Sequence, residues 1–113
     1  MVSAVMLALL LQASSVDAAT PFDTAAAAFT GCLKATVQMG MMSKMDPAQF
    51  QVGFAKSCKP QEAAFRGEAI KVAIAQGRTE TAAAAEVDGN IANGRRIFAA
   101  DQASYIATGK VPR

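Results

Sequence analysis

The chain has 113 residues, with 11 Lys and Arg against 9 Asp and Glu for a formal net charge of +2, and it has no histidine. Without histidine there is no Ser-His or Cys-His nucleophile pair, no HExxH zinc site and no His-ligated haem or copper site. The eight glycines are scattered and form no phosphate-binding loop. We therefore predict a protein that is not an enzyme and has no catalytic residues and no bound cofactor.

The first 18 residues have the pattern of a secretory signal peptide. Ala4 to Leu11 is an unbroken apolar run too short to span a bilayer comfortably. A polar stretch follows, and then Val16-Asp17-Ala18, a sequence that suits a signal peptidase. We predict cleavage after Ala18 and a periplasmic or secreted product with no membrane contact. Because no Lys or Arg precedes the apolar run, the alternative is an uncleaved anchor that tethers the protein to a membrane.

The rest of the chain is rich in alanine and is interrupted at helix-length intervals, which favours an all-α fold. The predicted organisation is a signal peptide over residues 1–18, a small four-helix bundle over residues 19–109, and a flexible tail over residues 110–113.

The first helix is marked at its start by Thr20-Pro21-Phe22-Asp23, which combines a capping hydroxyl, a proline at the first helical position and an acid at the third. We expect this helix to end near Gly40. Its apolar stripe comprises Phe22, Ala25, Ala26, Phe29, Leu33 and Thr36.

The second helix is predicted to begin after Asp46-Pro47, which repeats the starting signal. Phe50, Phe54 and Cys58 then share one face of it at a spacing of four residues. Lys59-Pro60 is expected to break or bend the chain there.

A third helix is predicted over residues 61–76, closed by Gly77, and a fourth over residues 80–108, capped by Thr79 and ended by Gly109. The apolar seam of the fourth helix comprises Val87, Ile91, Gly94, Phe98 and Tyr105. Because the segment from Asp88 to Gly94 contains Asp-Gly and Asn-Gly pairs, the alternative is three helices followed by a broken C-terminal one. The seam stays in phase across this segment, so one continuous helix is preferred.

Cys32 and Cys58 are the only cysteines, and an exported protein meets oxidising conditions. If the first two helices form an antiparallel hairpin, the two cysteines lie within about one helical turn of the same height. We therefore predict one disulfide that ties these helices together. The chain-entropy model assigns about 3 to 4 kcal/mol to the closed loop.

The third helix is apolar on two sides. Phe65, Ala69 and Val72 mark one stripe, and a second stripe consists of Ala63, Gly67, Ile70 and Ile74. The preferred interpretation is a helix packed centrally among the other three. The alternative is that the second stripe is an interface with another copy of the chain or with a partner protein.

Met39, Met41, Met42 and Met45 lie within seven residues. Thioethers are soft ligands, so these four methionines are candidate Cu(I) ligands in a copper-handling protein. Flexible methionines also fill irregular space at a helical turn or form adaptable apolar contacts. We prefer this second interpretation, and predict no metal site.

The charged residues are predicted to solubilise the surface. Arg96 lies opposite the seam of the fourth helix and Arg95 flanks it. Glu62 and Arg66 are spaced for an i, i+4 surface pair. No aromatic residues interleave with the arginines as a nucleic-acid platform requires, so we expect no nucleic-acid partner.

Together these features predict an exported helical protein that binds a partner through an exposed apolar or methionine-rich surface. The partner itself is not identified by the sequence. The alternatives are Cu(I) handling by the methionine cluster and a membrane-tethered bundle.

Overall fold

The computed structural model describes residues 19–112, and over this range the chain is all-helical. Four helices follow one another along the described chain: α1 (Pro21–Met42), α2 (Pro47–Phe54), α3 (Lys59–Ala75) and α4 (Glu80–Thr108). The predicted signal peptide lies outside the described residues. None of the helices in residues 19–112 combines the length and apolar character needed to cross a membrane.

The predicted capping residues start the helices. Thr20 and Asp23 form a capping box at α1, in which the Asp23 amide donates to Thr20 Oγ1 over 3.0 Å. The Asp46 carboxylate accepts hydrogen bonds from the amides of Ala48 and Gln49 at the start of α2. These contacts satisfy amides that have no partner within their own helix.

The last helix is also bounded as its sequence predicts. The amide of Ala82 donates to Thr79 Oγ1 at the start of α4. At the other end Gly109 adopts a left-handed conformation with φ of 72°, and its amide donates to the Tyr105 carbonyl. The helix is continuous from Asp88 to Gly94, because Val87 and Ile91 are both buried and hold this segment against the core.

The core lies where α1, α3 and α4 pack against one another, and the short α2 lies against α4. The buried apolar residues that form one cluster are Phe29, Leu33, Val37, Met41, Phe50, Phe54, Ala69, Val87 and Ile91. The α1 members are spaced by four residues, and this spacing continues the predicted stripe one turn beyond Thr36.

The second helix ends earlier than the sequence predicts. It stops at Phe54, and the chain turns through residues 55–58 before Lys59 and Pro60 begin α3. Proline is tolerated there because an amide in the first helical turn needs no partner within the helix. The prediction that Cys58 shares a face of the second helix is therefore wrong; Cys58 lies between helices in a left-handed conformation with φ of 59°.

The sulfurs of Cys32 and Cys58 lie 2.08 Å apart, at disulfide distance, and their Cα atoms are 6.0 Å apart. The link joins the middle of α1 to the residue that precedes α3, not α1 to α2. The two cysteines come together as predicted, but Cys58 is carried by the turn before α3 and not by α2.

The third helix is not enclosed on both sides. Its first stripe faces the core through the half-buried Phe65 and the buried Ala69. Of the second stripe, Ile70 packs against the core cluster, whereas Ala63, Gly67 and Ile74 are exposed. The prediction of a central helix surrounded by three others is wrong, because α2 is too short to cover this face and lies against α4 instead.

Candidate functional site

An apolar cleft of about 510 Å³ opens between the C-terminal end of α1, the turn that follows it, and α2. We call it the methionine cleft. Its lining residues are Thr36, Met39, Gly40, Met42, Ser43, Met45, Phe50, Gly53 and Phe54. The volume falls within the range of small-molecule and peptide-binding clefts, which are lined mainly by apolar and aromatic side chains.

The four clustered methionines divide into two groups. Met39, Met42 and Met45 line the cleft and are 71%, 82% and 40% exposed. Met41 is 8% exposed and belongs to the core cluster. Only three of the four candidate ligands named from the sequence are therefore brought together at the surface.

A glycine at the α1 side of the cleft allows an aromatic ring to pack closely on the helix. Gly40 is buried, and a Cβ atom at this position would lie 2.6 Å from two carbons of the Phe50 ring. The ring therefore lies directly on the α1 backbone, and it stacks on Phe54 with their centroids 5.2 Å apart. These two rings belong both to the core cluster and to the lining of the cleft.

Gln102 of α4 fixes the turn that carries Met45. Its side chain is fully buried, and its Nε2 donates to the carbonyl of Met45 over 2.8 Å and approaches the carbonyl of Gly40 at 3.4 Å. The Met45 amide donates in turn to the Gly40 carbonyl over 3.0 Å. Gln102 Oε1 is buried and finds no donor among the described residues, which is costly for a buried polar atom.

Arg95 of α4 fixes the other end of α2. Its Nε donates to Glu62 over 2.8 Å, and its two terminal nitrogens donate to the carbonyls of Phe54 and Ser57 over 2.8 and 2.6 Å. The guanidinium also lies 5.5 Å and 5.6 Å from the ring centroids of Phe29 and Phe54.

The prediction that Arg95 is a solvated surface charge is wrong, since its side chain is only 12% exposed. A flanking position on the seam of a helix brings a long side chain to the neighbouring element, where unpaired carbonyls at the end of α2 attract it. Arg96 is exposed, as predicted.

The predicted pair between Glu62 and Arg66 is also wrong. Arg66 donates to Asp88 of α4 over 2.7 and 3.1 Å, while Glu62 pairs with Arg95 and Lys59. Partial burial raises the pKa of Glu62, but the hydrogen bond and charge of Arg95, together with Lys59, outweigh this effect. The net pKa of Glu62 lies below its ordinary value of 4.5.

Among the described residues no group of three or more Cys, Asp or Glu side chains is arranged to hold a metal ion. The lining of the methionine cleft carries no carboxylate or thiol group. The described lining of the cleft can therefore contact apolar surface, or a cation that accepts thioether ligands.

No protein-family model, curated protein or solved structure matches this chain.

Two of the residues that shape the site, Gln102 and Arg95, were missed or misplaced from the sequence. Gln102 lies four residues after Phe98 and three before Tyr105, which puts it on the predicted seam of α4. A lone amide on an apolar seam signals a buried hydrogen bond to an element elsewhere in the chain.

Proposed function

We propose that the protein is an exported, non-enzymatic binding module, and that the methionine cleft receives the apolar face of an amphipathic helix from a partner protein. The observation that carries the proposal is the exposure of Met39 and Met42 beside a cleft floored by Phe50 and Phe54. Exposed apolar side chains gathered around one concavity are typical of interaction sites in soluble proteins.

The chemistry of the lining favours a helix as the occupant. Methionine is flexible and polarisable, so a methionine-rich groove adapts to apolar side chains of different shape. Amphipathic helices place such side chains at i, i+3, i+4 and i+7, in a stripe that fits a groove between two helices. The hydroxyls of Thr36 and Ser43 already donate to carbonyls of α1, so they have no proton left to donate to a ligand.

Charge near the cleft favours an acidic partner. Lys44 follows the lining residue Ser43, Lys56 lies two residues after Phe54, and both are exposed. The nearest acid along the chain, Asp46, accepts the capping hydrogen bonds of α2. Loss of the predicted signal peptide would raise the formal net charge from +2 to +3, because Asp17 is the only charged residue removed.

Export is part of the proposal. The apolar run at residues 4–11 and the sequence before Ala19 support it. The cysteine pair at disulfide distance is a second, independent support, because structural disulfides persist in oxidising compartments.

Selection of helical peptides from a displayed library, followed by hydrogen-exchange footprinting of the winners, tests the binding proposal. We expect the footprint on the end of α1 and on α2. A matched pair of variants sharpens the test: a Cβ at Gly53, in the cleft, or at exposed Gly31, away from it, meets no atom within 4 Å. Gly53→Trp should fill the cleft and abolish binding, whereas Gly31→Trp should leave it unchanged.

Selected peptides that bind the exposed part of α3, at Ala63, Gly67 and Ile74, or that bind the Gly53→Trp variant normally, would overturn the proposal. Sedimentation of the parent protein reports whether a second copy occupies either surface. A dimer dispersed by Gly53→Trp would replace the partner helix by a copy of this chain and contradict the proposed occupant.

A further inference from the structure

Three methionine side chains line one cleft at the end of α1. Met39 and Met42 are three residues apart on the helix, a spacing that makes them neighbours on its surface. The backbone of Met45 is held beside the end of α1, because its amide donates to the Gly40 carbonyl over 3.0 Å and Gln102 Nε2 donates to its carbonyl over 2.8 Å. All three side chains line the methionine cleft.

We propose that Met39, Met42 and Met45 form a binding site for a soft monovalent cation, Cu(I), with three sulfur ligands. This inference does not depend on the proposed helix-binding function, since it uses the sulfur atoms and not the apolar bulk of the side chains.

The lining selects the class of metal. Thioethers bind soft cations, whereas Mg²⁺, Ca²⁺ and Zn²⁺ prefer oxygen, imidazole or thiolate ligands. Among the residues that the structure describes, those lining the methionine cleft include neither a carboxylate nor a thiol, and the whole sequence lacks histidine. Besides thioether sulfur, these lining residues offer a metal only the hydroxyl groups of Thr36 and Ser43, which already donate to carbonyls of α1.

The helix dipole at the end of α1 favours a cation beside this part of the cleft. The cleft lies at the C-terminal end of α1, where the helix dipole presents its negative end. The last turn of α1 contains no Lys or Arg that would occupy this position. Lys44, in the turn beyond it, is exposed, so its ammonium group is free to extend into water.

Phe50 and Phe54 complete the site without supplying ligands. Their stacked rings line the same cleft, so the surroundings of a bound ion are apolar on that side. Cu(I) binding by three neutral thioethers requires no proton release, so affinity should not fall as the pH is lowered, in contrast to a thiolate or imidazole site.

Competition with a chromophoric Cu(I) chelator tests the site. The protein is first shown by intact mass to contain no free thiols, and ascorbate is used to keep copper reduced. The parent should hold about one Cu(I) per chain against a micromolar competitor, and the Met39→Leu/Met42→Leu/Met45→Leu variant should bind it about tenfold or more weakly. Leucine is close to methionine in volume, so the fold should persist.

Met41→Leu is the matched control, because Met41 lies in the same cluster of sequence but is buried in the core. It should leave Cu(I) affinity unchanged. Ag(I), a redox-inert substitute, should shift the ε-methyl resonances of Met39, Met42 and Met45 and not that of Met41.

A parent protein that loses all Cu(I) to the competitor would overturn the proposal, and so would a triple variant that retains the parent's affinity. The two proposals fail separately: the triple leucine variant keeps an apolar cleft and should still bind a selected helix, whereas Gly53→Trp should block the helix and leave all three sulfurs in place.

Discussion

The two ends of α2 are held to the rest of the molecule by different chemistry. At its C-terminal end, the Cys32–Cys58 link and the charged hydrogen bonds of Arg95 fix the turn that leads to α3. At its N-terminal end, the turn from α1 is held by the neutral amide of Gln102 and by packing of Phe50 on Gly40. The exposed methionines lie at this second end.

The difference shows how a small helical protein can be stable and still present an apolar surface. A covalent link and a charged cluster stabilise the fold without needing all its apolar side chains in the core. Met39 and Met42 are thereby available to a ligand. Changes at the C-terminal end of α2 should therefore cost the most global stability, whereas changes at the N-terminal end should cost less and should also alter the shape of the cleft.

The largest expected effect is loss of the covalent link. The Cys32→Ser/Cys58→Ser variant should lose about 3 to 4 kcal/mol of unfolding free energy, because the closed loop no longer restricts the unfolded chain. Urea unfolding measures the change. The parent protein under strong reductant should coincide with the variant; equal stability of oxidised parent and variant would contradict a structural role for the link.

Removal of Arg95 should come next. Arg95→Ala leaves the carbonyls of Phe54 and Ser57 without a donor and deprives Glu62 of its closest cation, for an expected loss of about 3 kcal/mol. Arg96→Ala is the control, because Arg96 is exposed and bonds to Asn93 one turn away on the same helix, and it should change stability by less than about 0.5 kcal/mol. Similar losses for both variants would show that Arg95 is the solvated charge that the sequence predicts.

Addition of a single methyl group tests the close contact between Gly40 and Phe50 at the other end of α2. Gly40→Ala places a Cβ atom against the Phe50 ring and should cost about 1 to 3 kcal/mol, since the ring must move within a packed core. Gly67→Ala, where a Cβ meets nothing within 4 Å, should instead stabilise α3 by up to about 1 kcal/mol. Thermal unfolding compares the two, and a stabilising Gly40→Ala would place Phe50 elsewhere.

The smallest expected effect is the pH dependence contributed by Glu62. Its pKa is lower in the folded protein than its ordinary value of 4.5, so the folded state holds this proton less tightly than the unfolded state. The resulting stabilisation is present above the unfolded pKa and is lost as the pH falls through the folded pKa. As the pH is lowered below about 5, the Glu62→Gln variant should lose less unfolding free energy than the parent protein, as measured by urea unfolding. In an Arg95→Ala background the same substitution should have less effect.

The helix ends and the apolar stripe of α1 could be predicted from the sequence, because each depends on residues a few positions apart. The predicted capping residues mark the ends of their helices in the structure: Thr20, Asp46, Thr79 and Gly109. A cap depends only on residues at the helix end itself. The stripe of α1 likewise followed from its spacing. Met41 continues that stripe at four residues from Val37, so its separation from the other methionines was available from the same pattern.

The long-range polar contacts could not be predicted from the sequence. Arg95 and Gln102 bind carbonyl groups 38 to 62 residues away along the chain, and the positions of those carbonyls depend on where α2 ends and turns. The end of α2 in turn depends on the link to Cys58 and on Arg95. A pattern of residues along the sequence does not contain this mutual dependence. The sequence therefore drew attention to the clustered methionines, but it did not predict the cleft that three of them line.

The division of the methionines is the central claim, because both proposals rest on three being exposed in the cleft and one being buried. Brief treatment with hydrogen peroxide, followed by peptide mass spectrometry, measures sulfoxide formation at each methionine. The account predicts fast oxidation of Met39 and Met42, slower oxidation of Met45, and protection of Met41 until the protein unfolds. Oxidation of Met41 in the folded protein at the rate of Met39 would contradict it.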